Sequence, residues 1–161
     1  MNKKSDFFKD FNSEFLIRDI QVSELLPFKE MLLDFYAEIS HSFSPNNLDE
    51  IILEFLEKGI VIVALNLSSN KIIGFICVIE SNALYAGGNF GVINELYIIP
   101  EFRSRKIGQK LIDFLIEIAK KKNWSRLELD TPEIEKSEKT IQFYKKAGFV
   151  PIGFRMKKNI I

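Results

Sequence analysis

The sequence predicts an α/β (α+β) fold, a central mixed, twisted sheet of about six to seven strands flanked by about four helices. Three observations predict it. Several runs are apolar at successive positions, as strands are when both faces of a sheet are covered. Other segments repeat apolar residues every three or four positions, the period of an amphipathic helix. The two kinds interleave through 161 residues without a repeat, a low-complexity tract or a linker. That length fits a single domain over 1–161, with 1–13 as an extension outside the core.

Phe15 to Ile20 reads as a first short strand. From Ser23 to Ile39, Leu25, Leu26, Phe28, Leu32, Phe35, Tyr36 and Ile39 fall at helical spacing, with Ser23 as N-cap and Glu24 in the first turn. Pro45 lies in a break, and a second helix spans Leu48 to Lys58, closed by Gly59. Strands Ile60–Leu65 and Lys71–Glu80 follow, joined by a turn over 66–70. The three glycines between Asn82 and Gly91 mark a loop, and Val92–Ile99 is a strand ended by Pro100. Ile107, Leu111, Ile112, Leu115, Ile118 and Ala119 form the stripe of the next helix. Arg126–Leu129 is a strand, Ser137–Ala147 a helix stopped by Gly148, and Phe149 to Lys157 a terminal strand pair.

Composition narrows the function. Twenty-two basic against twenty-two acidic residues give zero formal charge, which argues against nucleic acid as partner. No apolar run is long enough to span a membrane, and residues 1–8 lack the apolar core of a secretory signal. A single cysteine, Cys77, excludes an intrachain disulfide and fits a reducing, cytoplasmic setting. With one histidine, His41, and Cys77 in mid-strand, no metal cluster can be built.

The chemistry concentrates in Asn94 to Ile112. A strand runs into Arg103, Ser104, Arg105 and Lys106, and a helix follows. The helix N-terminus offers unpaired N–H groups and the positive end of the dipole, and three cations stand beside it: a phosphate or pyrophosphate cradle. Farther on, the last helix ends Phe143-Tyr-Lys-Lys-Ala-Gly-Phe149.

Together the two segments resemble the GCN5-related N-acetyltransferase (GNAT) superfamily, whose signature Q/R-x-x-G-x-G/A appears here as Arg103-Ser-Arg-Lys-Ile-Gly108. The resemblance covers the chain from about Phe15 to the C-terminus. It implies acetyl transfer from acetyl-coenzyme A, as cosubstrate, to an amine, either a small molecule or a protein amine. It further implies that the backbone of Ser104, Arg105, Lys106, Ile107, Gly108 and Gln109 holds the pyrophosphate, with Arg103 opening the loop. Leu96, Tyr97 and Ile98 would offer main-chain groups to the pantetheine arm beside a bulged strand. The Ile98 N–H would then polarise the thioester carbonyl. Tyr144 matches the family's general acid. Glu95, a carboxylate in an apolar strand beside this slot, is the expected base, with burial raising its pKa.

Two positions depart from the pattern. Lys106 replaces the first glycine of the signature. A positive φ there would disfavour lysine by about 1 kcal/mol or more; a negative φ would leave it as an added charge near phosphate. Retention of Gly108 and of Ile107 in the helix stripe favours the negative φ. Ser137 stands where many members carry an asparagine that contacts the cofactor, and serine can still bond through its hydroxyl. His41, in the loop between the first helices, is a weaker base candidate. Tyr36, Phe43, Tyr85 and Phe90 are candidates to line the acceptor pocket. Cys77 reads as a core residue away from the cofactor slot, so direct attack in a ternary complex is expected. A non-catalytic acyl-coenzyme A sensor is the alternative, and strand edges at the C-terminus leave a homodimer open.

Overall fold

The computed structural model describes residues 14–39, 46–131, 138–153 and 156–158. The chain forms two compact units, Met1–Glu128 and Leu129–Ile161.

In the first unit, β1 (Phe15–Asp19) leads through a 3₁₀ turn at Val22–Glu24 into α1 (Leu25–Glu38). The turn is closed by Glu24, whose carboxylate accepts from the Gln21 N–H at 2.9 Å and pairs with Arg18 at 2.7 Å. Ser23, the expected N-cap, caps neither element: Gln21 is the N-cap of the turn and Glu24 that of α1. α2 (Leu48–Lys58), β2 (Gly59–Asn66), β3 (Lys71–Ala83), β4 (Gly88–Ile98), α3 (Ile107–Lys121) and β5 (Leu127–Leu129) follow.

The strands pair in the order β1-β2-β3-β4-β5. β1 to β4 are antiparallel neighbours. Beside β4, the Ser125 N–H donates to the Asn89 carbonyl and the Gly91 N–H to the Arg126 carbonyl. These pairings ascend together along both chains, the pattern of a parallel strand reached by a helical crossover. The sheet is thus mixed, as expected, but has five strands among the described residues.

Alternation along each strand sorts the core into two layers. Val61, Val63, Leu65, Phe75, Cys77 and Tyr97 face a cluster with Phe28, Leu32 and Ile52 of α1 and α2. Ile62, Ala64, Ile76 and Val78 alternate with them and are fully or nearly fully buried. α3 packs against β1 to β4, with Ile107, Leu111, Ile112 and Leu115 buried.

Residues 82–91, expected to be a loop, extend the β3–β4 hairpin, with Asn82 opposite Asn89 and Ala83 opposite Gly88. Only Leu84–Ala86 and Gly87 form its tip. The glycines have separate causes: Gly87 has φ +73° and turns the chain, whereas Gly91 lies under the Trp124 ring, where a Cβ would stand 2.6 Å from a ring carbon. At Gly74 an added Cβ would meet the Tyr97 carbonyl oxygen at 2.8 Å. Gly74→Ala is therefore expected to cost about 1–3 kcal/mol by pushing β3 from β4. The measurement is the denaturant midpoint, at unchanged slope.

The second unit contains α4 (Glu138–Lys146). Its end is a Schellman motif: Phe149 N–H donates to the Tyr144 carbonyl and Gly148 N–H to the Lys145 carbonyl, with Gly148 at φ +92°. The accompanying apolar contact is Phe149 against Tyr144, ring centroids 5.6 Å apart. Where a terminal strand pair is expected, none of the described residues from Phe149 to Lys157 is in a strand. Pro151 lacks a backbone donor and Gly153 sits at φ +154°, and both disfavour a regular ladder there. Residues 154–155 lie outside the described residues.

Candidate active site

The register of β3 and β4 builds the site. Cys77 lies opposite Glu95, but Val78 lies opposite Ile93, so Asn94 is the extra residue of a β-bulge. Beyond the bulge, Glu95 and Tyr97 point to the face covered by α1 and α2. The Ile99 N–H donates to Ile73 of β3, so by strand alternation the Ile98 and Leu96 N–H groups point away from β3. Just ahead of β5, Ser125 and Arg126 bond to Asn89 and Gly91 of β4.

Glu95 enters the wall of a cavity of about 70 Å³. The Tyr36 hydroxyl of α1 donates to its carboxylate at 2.9 Å. Burial pushes the Glu95 pKa above its ordinary 4.5, while hydrogen bonds from Tyr36 and Cys77 hold it back in part. The Tyr36 hydroxyl and the Cys77 thiol are driven well above their own ordinary values, by burial first and the Glu95 charge next. Both therefore remain neutral donors at ordinary pH. Apolar side chains of α1 and α2, including Leu32, Ile51 and Phe55, complete the wall. Among the described residues, no cation pairs with Glu95. Sequence reasoning left Cys77 out of this site, since nothing local marks which residue of β3 falls opposite Glu95.

The basic loop lies between β4 and α3. Lys106 is the N-cap of α3 and has φ +62°, and Ser104 has the same φ. The expectation of a negative φ at Lys106 is overturned: a left-handed residue is needed to turn the chain into α3, and lysine occupies it at a steric cost of about 1–2 kcal/mol. No side chain caps α3, and its first helical bond runs from the Lys110 N–H to the Lys106 carbonyl. The N–H groups of Ile107, Gly108 and Gln109 precede that bond and have no helical acceptor. Two left-handed residues and a bare helix start form an N–H concavity fit for an anion such as a pyrophosphate. Lys106→Gly is expected to raise stability by about 0.5–1 kcal/mol, strain relief less the entropy that glycine adds to the unfolded chain. Equilibrium unfolding in urea measures it.

The three cations are not equivalent. Arg103 donates from Nε to the Ile98 carbonyl at 2.9 Å, pairs with Glu38 of α1 at 2.6 Å and lies 5.4 Å from the centre of the Tyr97 ring. It ties the end of α1 to the end of β4. Arg105 stacks on Phe102 at 4.9 Å and reaches Glu14 at 3.9 Å. Lys106 is exposed.

Tyr144 is the buried residue of α4, held between Phe143 and Phe149, and burial raises its hydroxyl pKa to about 12. Tyr85 and Phe90 pack together at the far end of the β3–β4 hairpin, 6.1 Å apart, and do not line the cavity. Ser137, His41 and Phe43 lie outside the described residues. Among the described residues no cluster of His, Cys, Asp and Glu could hold a metal ion, and no helix is long and apolar enough to cross a membrane.

Solved structures share this fold. Glucosamine-6-phosphate N-acetyltransferase from Arabidopsis thaliana aligns over 92% of this chain and 100% of its own, with TM-score 0.73 and 21% identity. An aminoglycoside acetyltransferase from an uncultured soil metagenomic sample, in complex with trehalose, aligns over 94% and 100%, with TM-score 0.77 and 18% identity. A transcriptional regulator from Bacillus halodurans aligns over 91% and 99%, with TM-score 0.77 and 22% identity. Comparison with curated protein sequences finds no match. The sequence model of the Acetyltransferase (GNAT) family matches residues 26–149, and the chain belongs to that family. Acetyl transfer is the chemistry of the family.

Proposed function

We propose that the protein is an acetyl-coenzyme A dependent N-acetyltransferase that acetylates a primary amine by direct attack in a ternary complex. The observation that carries this reading is the bulge at Asn94. It sets Glu95 in the cavity wall with its carboxylate on the Tyr36 hydroxyl, while the Ile98 N–H three residues on points away from β3. Acetyl-coenzyme A would supply the activated acetyl thioester. The N–H groups from Ser104 to Gln109 hold its pyrophosphate with Arg105 and Lys106, and Leu96 to Ile98 offer main-chain groups to its pantetheine arm. Arg103 positions the loop through Glu38 and Ile98. Ser137 is a further cofactor contact by resemblance.

An alkyl ammonium has a pKa of about 10.4, so the acceptor must lose a proton before it attacks. Glu95 takes that proton, directly or through one water, and its raised pKa suits it to hold it. As the amine nitrogen bonds to the acetyl carbon, the Ile98 N–H donates to the acetyl oxygen, where negative charge develops. By resemblance, Tyr144 is the group that donates a proton to the departing coenzyme sulfur. A thiol pKa of about 8.5 makes that sulfur a good leaving group, so the high pKa of Tyr144 is tolerable. Cys77 stays a neutral thiol, so it does not compete as a nucleophile.

Calorimetric titration of acetyl-coenzyme A, with coenzyme release measured over a panel of amines, tests the reading. Micromolar-range binding, weakened in Arg105→Ala, together with release that depends on an amine would support it. Tyr144→Phe is expected to lower kcat by about 10²-fold with little change in KM; wild-type turnover would remove Tyr144 from the mechanism. Lysine at the signature glycine favours the second reading, a non-catalytic acyl-coenzyme A sensor. Saturable binding with no coenzyme release from any amine would select it.

A further inference from the structure

The cavity beside Glu95 says what kind of amine fits. The surface its walls present is hydrocarbon, although Tyr36, Cys77 and Glu95 are among the lining residues. Those three polar groups already engage one another, since Tyr36 and Cys77 both hydrogen-bond to Glu95. With the amine nitrogen at Glu95, a hydroxyl carried farther into the cavity would meet only hydrocarbon surface, and burying one unpaired costs about 1–3 kcal/mol. The carboxylate, by contrast, has two neutral donors and no cation among the described residues. An amine nitrogen is the one group whose charge it lacks. The volume of about 70 Å³ sets the size. An apolar cavity of about 150 Å³ takes benzene, so this one holds a short or branched alkyl group.

We infer that the acceptor is a primary amine bearing a compact apolar substituent, with the nitrogen at Glu95 and the alkyl group between α1 and α2. The inference rests on the reading of this cavity as the acceptor site. It separates this chain from enzymes whose acceptors are polyhydroxylated amines. Leu32, Ile51 and Phe55 act as specificity residues, through the volume they leave. Ile51 is partly exposed on α2, so its size can be changed without opening the core.

The test compares isobutylamine with isopropanolamine, in which a hydroxyl replaces one methyl, and with glucosamine. Coenzyme release is followed with acetyl-coenzyme A, and kcat/KM is referred to the free-base concentration. Isobutylamine is expected to exceed isopropanolamine by at least about 10-fold, and glucosamine by more. Ile51→Phe, which fills the cavity, is expected to raise KM for isobutylamine about 10-fold more than KM for methylamine, which has no group to insert. Equal or better turnover of the hydroxylated amines, or an equal effect of Ile51→Phe on methylamine, overturns the inference and leaves the acetyltransferase reading intact. Saturable acetyl-coenzyme A binding with no amine acetylated, or no binding at all, overturns that reading and the inference with it.

Discussion

Glu95→Gln is expected to lower kcat/KM by about 10³-fold, the middle to upper range for loss of a general base. The glutamine side chain keeps the shape of the carboxylate and can still accept from Tyr36, so the cavity and cofactor binding persist while the proton acceptor is gone. In wild type, kcat/KM should fall as pH drops through the raised Glu95 pKa, above the ordinary 4.5. The variant should lose that acidic limb. The titratable groups facing Glu95 are Tyr36 and Cys77, both shifted upward, so neither supplies a competing limb in the acid range. Tyr144, with its pKa raised to about 12, supplies none at neutral pH.

The same substitution should make the protein more stable. A carboxyl whose pKa is higher folded than unfolded binds its proton more tightly in the native state, so ionising it costs stability. That cost is absent below the unfolded pKa, grows as pH rises, and is complete above the folded pKa. Glutamine cannot ionise, so Glu95→Gln should gain about 0.5–2 kcal/mol at neutral pH, with the gain disappearing on acidification. Urea unfolding at several pH values reads this directly. A variant that is both active and no more stable would show Glu95 to be an ordinary solvated carboxylate.

Phe75→Ala is expected to have the largest effect on folding, a loss of about 3–5 kcal/mol. Phe75 is fully buried and meets Phe28 edge-on at 5.1 Å, Phe35 at 6.4 Å and Tyr97 at 6.0 Å. Its ring joins α1 to the sheet two residues from Cys77. Removing it leaves a void between rigid elements that cannot close around it, so both the transfer and the cavity contributions are lost. Since α1 also carries Tyr36, a drift of that helix should weaken the hydrogen bond to Glu95. At temperatures where the variant stays folded, its acidic limb should move to higher pH. A loss below about 1 kcal/mol would contradict the packing described here.

Much of this architecture is legible locally. The stripe from Ile107 to Ala119, the continuous apolar runs of β2 and β3 and the stop at Gly148 each follow from side-chain period or backbone preference within a dozen residues. The motif around Tyr144 has a local cause as well, because the Schellman turn folds Phe149 back onto the tyrosine ring. Glycine signals misled where two different causes share one residue type. Gly87 is a turn glycine, whereas Gly91 is a strand residue under Trp124, and only the packed ring tells them apart.

Period, charge and turn chemistry act over a few residues. The order of helices and strands, the expectation of an anion at the helix start and the suspicion that falls on Glu95 are therefore properties of the sequence by itself. Three features were decided only in tertiary structure. Lys106 is left-handed because the chain between β4 and α3 must turn there. Arg103 is committed to Glu38 and Ile98 because α1 ends beside β4. Cys77 and Tyr36 meet Glu95 because the bulge at Asn94 sets the register, and register depends on two strands and a helix far apart in the chain.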